Sequence, residues 1–276
     1  MIQPKELVIA GRSLKALGWR IIDAHAHLGS YGGFDIPHGD ADGMVRQMDD
    51  LGIDVACISS LMAINADYVR GNDLTAAAVQ RHPDRLIGYA VANPWETDRV
   101  ASELTRAFDD LGLSAIKIHP TLWELPVDDA RYEPIWAFAS ERKALILSHT
   151  WAGERSCRPS LFRTIAQRYP DVAILLGHSG GSRAGNIEAI EVARACPNIY
   201  LETCYSRLTR EQFELLVEGA GSDRVVFGTD MPFIDASFTL ARVAGADLPG
   251  AQRKAILGDT AAHLLRTHAP SAKALA

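Results

Sequence analysis

Two histidines separated by one residue, His25 and His27, are the first groups in this sequence that could do chemistry. In an extended segment side chains alternate, so Asp23, His25 and His27 are expected on one face, and two imidazoles at that spacing can reach one ion. A His-x-His pair is equally compatible with an incidental spacing. Further polar residues close other apolar runs: Lys117 and His119 in Ile116-Lys117-Ile118-His119-Pro120, His149 in Leu147-Ser148-His149-Thr150, His178 in Leu176-Gly177-His178-Ser179, and Asp230 in Phe227-Gly228-Thr229-Asp230. Neutral imidazoles joined by a carboxylate suit Zn²⁺, Mn²⁺ or Fe²⁺, whereas Ca²⁺ and Mg²⁺ prefer all-oxygen shells.

The elements that must position these groups recur along the chain. Runs rich in β-branched and aliphatic residues occupy 21–26, 55–59, 86–91, 115–119, 144–149, 172–177, 199–203 and 225–229. Their spacing is roughly 30 residues, the length of a βαβ unit. Most are nearly continuous in apolar character, as strands covered on both faces should be. Between them Val100, Leu104, Phe108 and Leu111 repeat at helical spacing, as do Leu161, Ile165 and Tyr169, and a last helix is expected over about 250–268. Breakers such as His82-Pro83-Asp84 and Cys196-Pro197-Asn198 mark the joins. This alternation predicts a single-domain (β/α)₈ TIM barrel over 21–268, with a short N-terminal extension at 1–20 and a tail at 269–276. A doubly wound open sheet is the structural alternative, but no Gly-x-Gly-x-x-Gly follows the first run. In the barrel, five of the nine histidines and Asp230 fall at the C-terminal strand ends, where barrel chemistry sits.

Together these motifs resemble the amidohydrolase superfamily, specifically the amidohydrolase-related branch that includes aminocarboxymuconate-semialdehyde decarboxylase-like proteins. The pieces that carry the resemblance run from Ile22-Asp23-Ala24-His25-Ala26-His27 to Thr229-Asp230-Met231-Pro232-Phe233, in family order over about 210 residues. The resemblance implies that His25, His27, His149 and Asp230 bind a metal, that Asp230 also hydrogen-bonds the metal-bound water, and that His178 is the general acid/base. Binuclear members hold a second metal with a carbamylated Lys on the fourth strand, where Lys117 sits. The Lys-Ile-His-Pro context matches the mononuclear branch, so one ion is expected, Zn²⁺ first and Mn²⁺ or Fe²⁺ as alternatives.

On this basis the expected activity is hydrolysis of an ester, lactone or amide bond in a small anionic substrate by a metal-activated water. Non-oxidative decarboxylation of a small aromatic or unsaturated acid is the alternative, and a non-catalytic metal-binding barrel is a third reading. Short loops and the lack of a separate β-domain favour the hydrolase. An anionic substrate would want arginine at the mouth, which Arg155, Arg158, Arg183, Arg207 or Arg70 could supply, though each reads more readily as a surface charge. Lys117 and His119 share a face; His119 could contact substrate or pack. Asp23 could brace a ligand histidine from behind, and Glu202 could orient one, bind substrate or face a helix. Trp151, with Trp95 and Trp123, could wall a pocket or pack a loop. Cys157, between Arg155 and Arg158, could be a reactive thiolate, although a metal site makes it unnecessary.

Bulk properties bound the rest. The net charge of −6 and the lack of a basic run argue against a nucleic-acid partner. The first 20 residues lack an apolar signal segment, and no apolar run approaches membrane-spanning length. Four scattered cysteines form no Cys-x-x-Cys pair and fit a reducing, cytoplasmic compartment. The expected partner is a small molecule, with a homodimer as the base-rate assembly.

Overall fold

The apolar runs form strands, each ending close to the expected place. The computed structural model describes residues 17–269, 272 and 274, so residues 1–16 of the expected extension and most of the tail lie outside the described residues. The strands are β1 (Ile22–Leu28), β2 (Val55–Ser60), β3 (Leu86–Ala90), β4 (Ala115–Ile118), β5 (Leu145–His149), β6 (Ala173–Gly177), β7 (Ile199–Glu202) and β8 (Val225–Val226). They pair in parallel in sequence order from β1 to β8. The barrel closes through main-chain bonds from Ala24 N to Phe227 O (3.0 Å), Asp230 N to His25 O (2.8 Å) and His27 N to Met231 O (2.7 Å). An open sheet would leave these edges unpaired.

Helices cover the outside. They are α1 (Ala41–Leu51), α2 (Leu61–Asn65), α3 (Tyr68–Arg81), α4 (Thr97–Thr105), α5 (Glu133–Arg142), α6 (Phe162–Arg168), α7 (Arg183–Ala195), α8 (Arg210–Ala220), α9 (Ala236–Ala244), α10 (Gly250–Lys254) and α11 (Thr260–His268). Several begin on side-chain caps that satisfy otherwise orphaned N–H groups: Asp40 for α1, Ser182 for α7, and a reciprocal Thr209–Gln212 box for α8.

Strand alternation divides the core into two layers. Ile116, Ile118, Ile146, Ile174 and Leu176 pack outward against the helices. Val55, Cys57, Ile87, Tyr89, Ala115, Leu145, Leu147 and Val226 fill the barrel interior, joined by Ala261, Leu264 and Leu265 of α11. That helix packs against β1, β5 and β8. The lower interior is therefore solid, and polar inward side chains are confined to the C-terminal end.

One expectation fails on β1. The pairing with β2 shifts register between Asp23 and Ala26, an extra residue on β1 that breaks strict alternation. Ile22 and Ala24 join the interior cluster, whereas Ala26 and Leu28 face the helices. His25 and His27 thus share the interior face above the bulge, and Asp23 does not share it. Among the described residues, no helix is long and apolar enough to cross a membrane.

Candidate active site

A cavity of about 240 Å³ opens at the C-terminal ends of the strands, lined by His25, His27, Lys117, His119, His149, His178 and Asp230. Apolar residues Leu61, Ile64, Leu122 and Phe233 complete its wall. A wider hollow of about 530 Å³ shares His149, His178, Asp230, Tyr31 and Phe233, and adds Trp151, Tyr205, Phe34 and Phe238. The residues expected to carry chemistry therefore meet in one place.

Glu202 organises the floor. It is fully buried, and its carboxylate accepts from His25 Nδ1 at 2.8 Å, His178 N at 3.0 Å, Cys204 N at 2.5 Å and the Cys204 thiol at 2.9 Å. Burial raises its pKa, and nearby His178 with the donors from Cys204 and the His178 N–H pulls it back. Room for this carboxylate depends on Gly228, where a Cβ would stand 2.2 Å from Glu202 Oε1. Removing Glu202 strands buried donors in three places, on His25, His178 and Cys204. We expect Glu202→Ala to cost about 3–5 kcal/mol of stability in denaturant unfolding, with Glu202→Gln losing less.

The Glu202 contact fixes the first ligand candidate. With Nδ1–H given to the carboxylate, a neutral His25 turns its Nε2 lone pair to the cavity. His27 Nδ1 meets Ser59 Oγ at 3.0 Å, its register neighbour on β2, and Nε2 stands 3.2 Å from Asp230 Oδ1. His25 Nε2 is 3.7 Å from the same oxygen. Burial lowers the pKa of His25 and His27, and nearby Lys117 adds to this, so both rings are neutral as metal ligands must be. His119 and His149 are lowered the same way, chiefly by burial.

Asp230 follows the short β8 in a left-handed conformation, φ 60°. Burial alone would raise its carboxyl, but the hydrogen bond from His27, with His178 and Lys117 nearby, brings it below the ordinary carboxylate range. His178 also has positive φ, 63°, followed by Ser179 at 46°. Such backbone persists where surroundings over-determine it. Here the His178 N–H is held by Glu202, and Ser179 Oγ donates to Glu202 O at 2.7 Å. His178 Nδ1 donates to the Cys204 carbonyl, which fixes the ring and leaves Nε2 as its other nitrogen.

Lys117 projects inward from β4 and is 1% exposed. Its Nζ lies 2.7 Å from His25 Nε2. Burial pushes its pKa down to about 8, against the opposing pull of Asp230, Cys204 and Glu202. The ring of His119 stacks on His149 at 4.0 Å between centroids, and Trp151 lies parallel to His149 at 6.1 Å. Gly181, φ 63°, admits that indole: a Cβ there would meet Trp151 Cε3 at 2.2 Å.

A second donor grouping exists. One atom each from His25, His178, Cys204 and Asp230 lies within 4.8 Å of the others. Burial, followed by the Glu202 charge, holds the Cys204 thiol well above its usual pKa, so it is a thiol donating to Glu202 rather than a thiolate.

Several expectations are corrected. Asp23 does not brace a histidine ring; it accepts from His25 N (3.0 Å), Thr229 N (3.0 Å) and Thr229 Oγ1, clasping β1 to the end of β8. Glu202 performs the bracing role. Arg155, Arg183, Arg207 and Arg70 are exposed, and Arg158 pairs with Glu188 at 3.0 Å. None lines either hollow, so among the described residues Lys117 is the cation that faces the cavity. Trp95 is 54% exposed and donates to Trp123 O at 2.9 Å, so it does not wall the pocket. Burial keeps Cys157 a thiol, and all four cysteines are free. Sequence reading missed Ser59, Asn65, Tyr31 and Phe233. Ser59 alone had a signal, a polar residue at a strand end.

A family model described as Amidohydrolase matches residues 22–267. The gamma-resorcylate decarboxylase of Rhodococcus jostii (strain RHA1) is 26% identical over 253 residues, covering 71% of this chain and 75% of that protein. The enzyme of the same name from Polaromonas sp. (strain JS666 / ATCC BAA-500) is 24% identical over 284 residues, covering 82% and 87%. Among solved structures, the 5-carboxyvanillate decarboxylase of Novosphingobium aromaticivorans, with manganese and a nitrobenzoic acid, superposes with a TM-score of 0.75 at 17% identity, covering 90% of this chain and 96% of that one. The expectation of a hydrolase is thereby overturned: these relatives are decarboxylases by name. The metal motifs serve either chemistry, so loop length was a poor guide between them.

Proposed function

This chain belongs to the amidohydrolase family, and we propose that it is a metal-dependent, non-oxidative decarboxylase of a small aromatic or unsaturated carboxylic acid. The observation that carries the reading is one narrow cavity in which His25, His27, Asp230 and the Lys117 ammonium converge beneath aromatic walls. Its charge suits one carboxylate, and its flat faces suit a ring.

The donors fit a divalent ion. Ligands held at about 2.0–2.2 Å from one ion stand roughly 3.0–3.6 Å from each other. Asp230 Oδ1 stands 3.2 Å from His27 Nε2, within that span, and 3.7 Å from His25 Nε2, just beyond it. His25, His27 and Asp230 would hold the ion, with His149 as the further ligand from the cavity wall. The donor set suits Mn²⁺, Zn²⁺ or Fe²⁺, and manganese in a structural neighbour supports trying it first. When bound, the ion supplies positive charge that orients the substrate's oxygens.

The chain's own residues do the rest. Lys117 attracts the carboxylate, and Leu61, Ile64 and Leu122 keep water from the ring. The bond from ring carbon to carboxylate carbon breaks, its electron pair stays on the ring carbon, and CO₂ leaves. His178 Nε2 gives its proton to that carbon and regains one from solvent. Decarboxylase relatives support this direction of chemistry.

The test is CO₂ release from hydroxybenzoic acids, including gamma-resorcylate and 5-carboxyvanillate, by the Mn²⁺-loaded chain. We expect release from at least one ring acid, with the decarboxylated ring as product. No release from any of them, with hydrolysis of aryl esters or lactones instead, would contradict the reading.

A further inference from the structure

We propose that the Lys117 ammonium and the divalent ion compete for one lone pair, that of His25 Nε2. Lys117 thereby sets how tightly the centre takes its metal, and turns to the substrate carboxylate once the ion displaces it. The inference rests on the metal reading above.

Three observations carry it. First, the Glu202 carboxylate engages His25 Nδ1 at 2.8 Å, so a neutral His25 carries its hydrogen there and has one lone pair to offer, on Nε2. Second, an ammonium has three donors and no acceptor, so the 2.7 Å contact is Lys117 Nζ–H donating into that lone pair. A metal needs the same electrons, and the two cannot share them. Third, Nζ meets His25 Nε2, and among the described residues no carboxylate forms an ion pair with Lys117 within 4.0 Å, so Asp230 acts on it only at longer range. A buried cation not directly paired with a carboxylate is costly, so an entering carboxylate is its natural partner.

Charge works in the same direction. An ammonium close to a divalent ion repels it, and the repulsion is strong where water is excluded. The centre is therefore tuned toward weaker metal binding than its histidines and carboxylate would give alone. A substrate carboxylate would relieve the repulsion, so ion and substrate should favour each other's binding.

The experiment titrates Mn²⁺ into the chelator-stripped full chain and reads free Mn²⁺ by electron paramagnetic resonance, with no substrate present. Wild type is compared with Lys117→Met, which keeps length without charge, and Lys117→Arg, which keeps charge. Lys117→Met is expected to bind Mn²⁺ roughly tenfold or more tightly than wild type, and Lys117→Arg to show no gain. The Mn²⁺-loaded Lys117→Met chain should also bind benzoate more weakly than wild type. Should the Met variant unfold, Lys117→Gln makes the same comparison. Equal affinity in wild type and the uncharged variant would overturn the competition while leaving the metal reading intact. Weaker affinity would overturn it by making Lys117 a contributor to metal binding. Failure of wild type and variant alike to bind Mn²⁺ would sink the metal reading and this inference with it.

Discussion

Asp230→Ala protein is expected to hold Mn²⁺ at least roughly 100-fold more weakly than wild type and to lose about 10³-fold in kcat. Asp230 faces both proposed histidine ligands through one oxygen, at 3.2 and 3.7 Å. Among the described residues it brings the only carboxylate on the cavity wall, so its loss removes negative charge that acts on Lys117 and would offset the ion. Its backbone is tied to β1 through Asp230 N and His25 O, so the side chain can be removed without undoing barrel closure. Asp230→Asn keeps the shape and should fall between the two. Metal content by mass spectrometry and steady-state turnover check both halves. An Asp230→Ala chain that retains tightly bound Mn²⁺ would remove Asp230 from the ligand set.

His178→Asn is expected to do the opposite with the metal. It should keep its Mn²⁺ and lose turnover by about 10²–10⁴-fold, the usual range for a lost acid/base. The ring is anchored by Nδ1 on the Cys204 carbonyl, and its N–H is anchored by Glu202, so the group is aimed rather than free. The test also decides between the two donor groupings. His178 belongs to the set with His25, Cys204 and Asp230, whose atoms lie within 4.8 Å. Were that set the metal site, His178→Asn and Cys204→Ala would both release the ion. With His25, His27 and Asp230 as ligands, neither should.

The barrel was legible because its strands are short apolar runs at near-constant spacing, and buried strands need little else. His25, His27, Lys117, His149, His178 and Asp230 were legible for a related reason: they interrupt that apolar character at strand ends, where interior positions meet the mouth. Asp23 was misplaced because the bulge on β1 arises from pairing with its neighbours, which no local pattern records. Glu202 stayed ambiguous because its worth lies in donors from three separate places, His25, His178 and Cys204, that meet only in the folded chain. The arginines after the strands misled because a charge near a strand end in sequence can still point to solvent. Hydrolysis and decarboxylation were inseparable in the motifs, since both ask the same metal ligands to stabilise negative charge.

One divalent ion, held by the strand-end histidines and Asp230, is expected to support loss of CO₂ from a ring acid. Mn²⁺ should be titrated into the chelator-stripped chain while CO₂ release from the best acid substrate is followed. No release is expected without metal, followed by a rise that saturates at one Mn²⁺ per chain. Undiminished release from the metal-free chain would contradict it, as would no release at any loading.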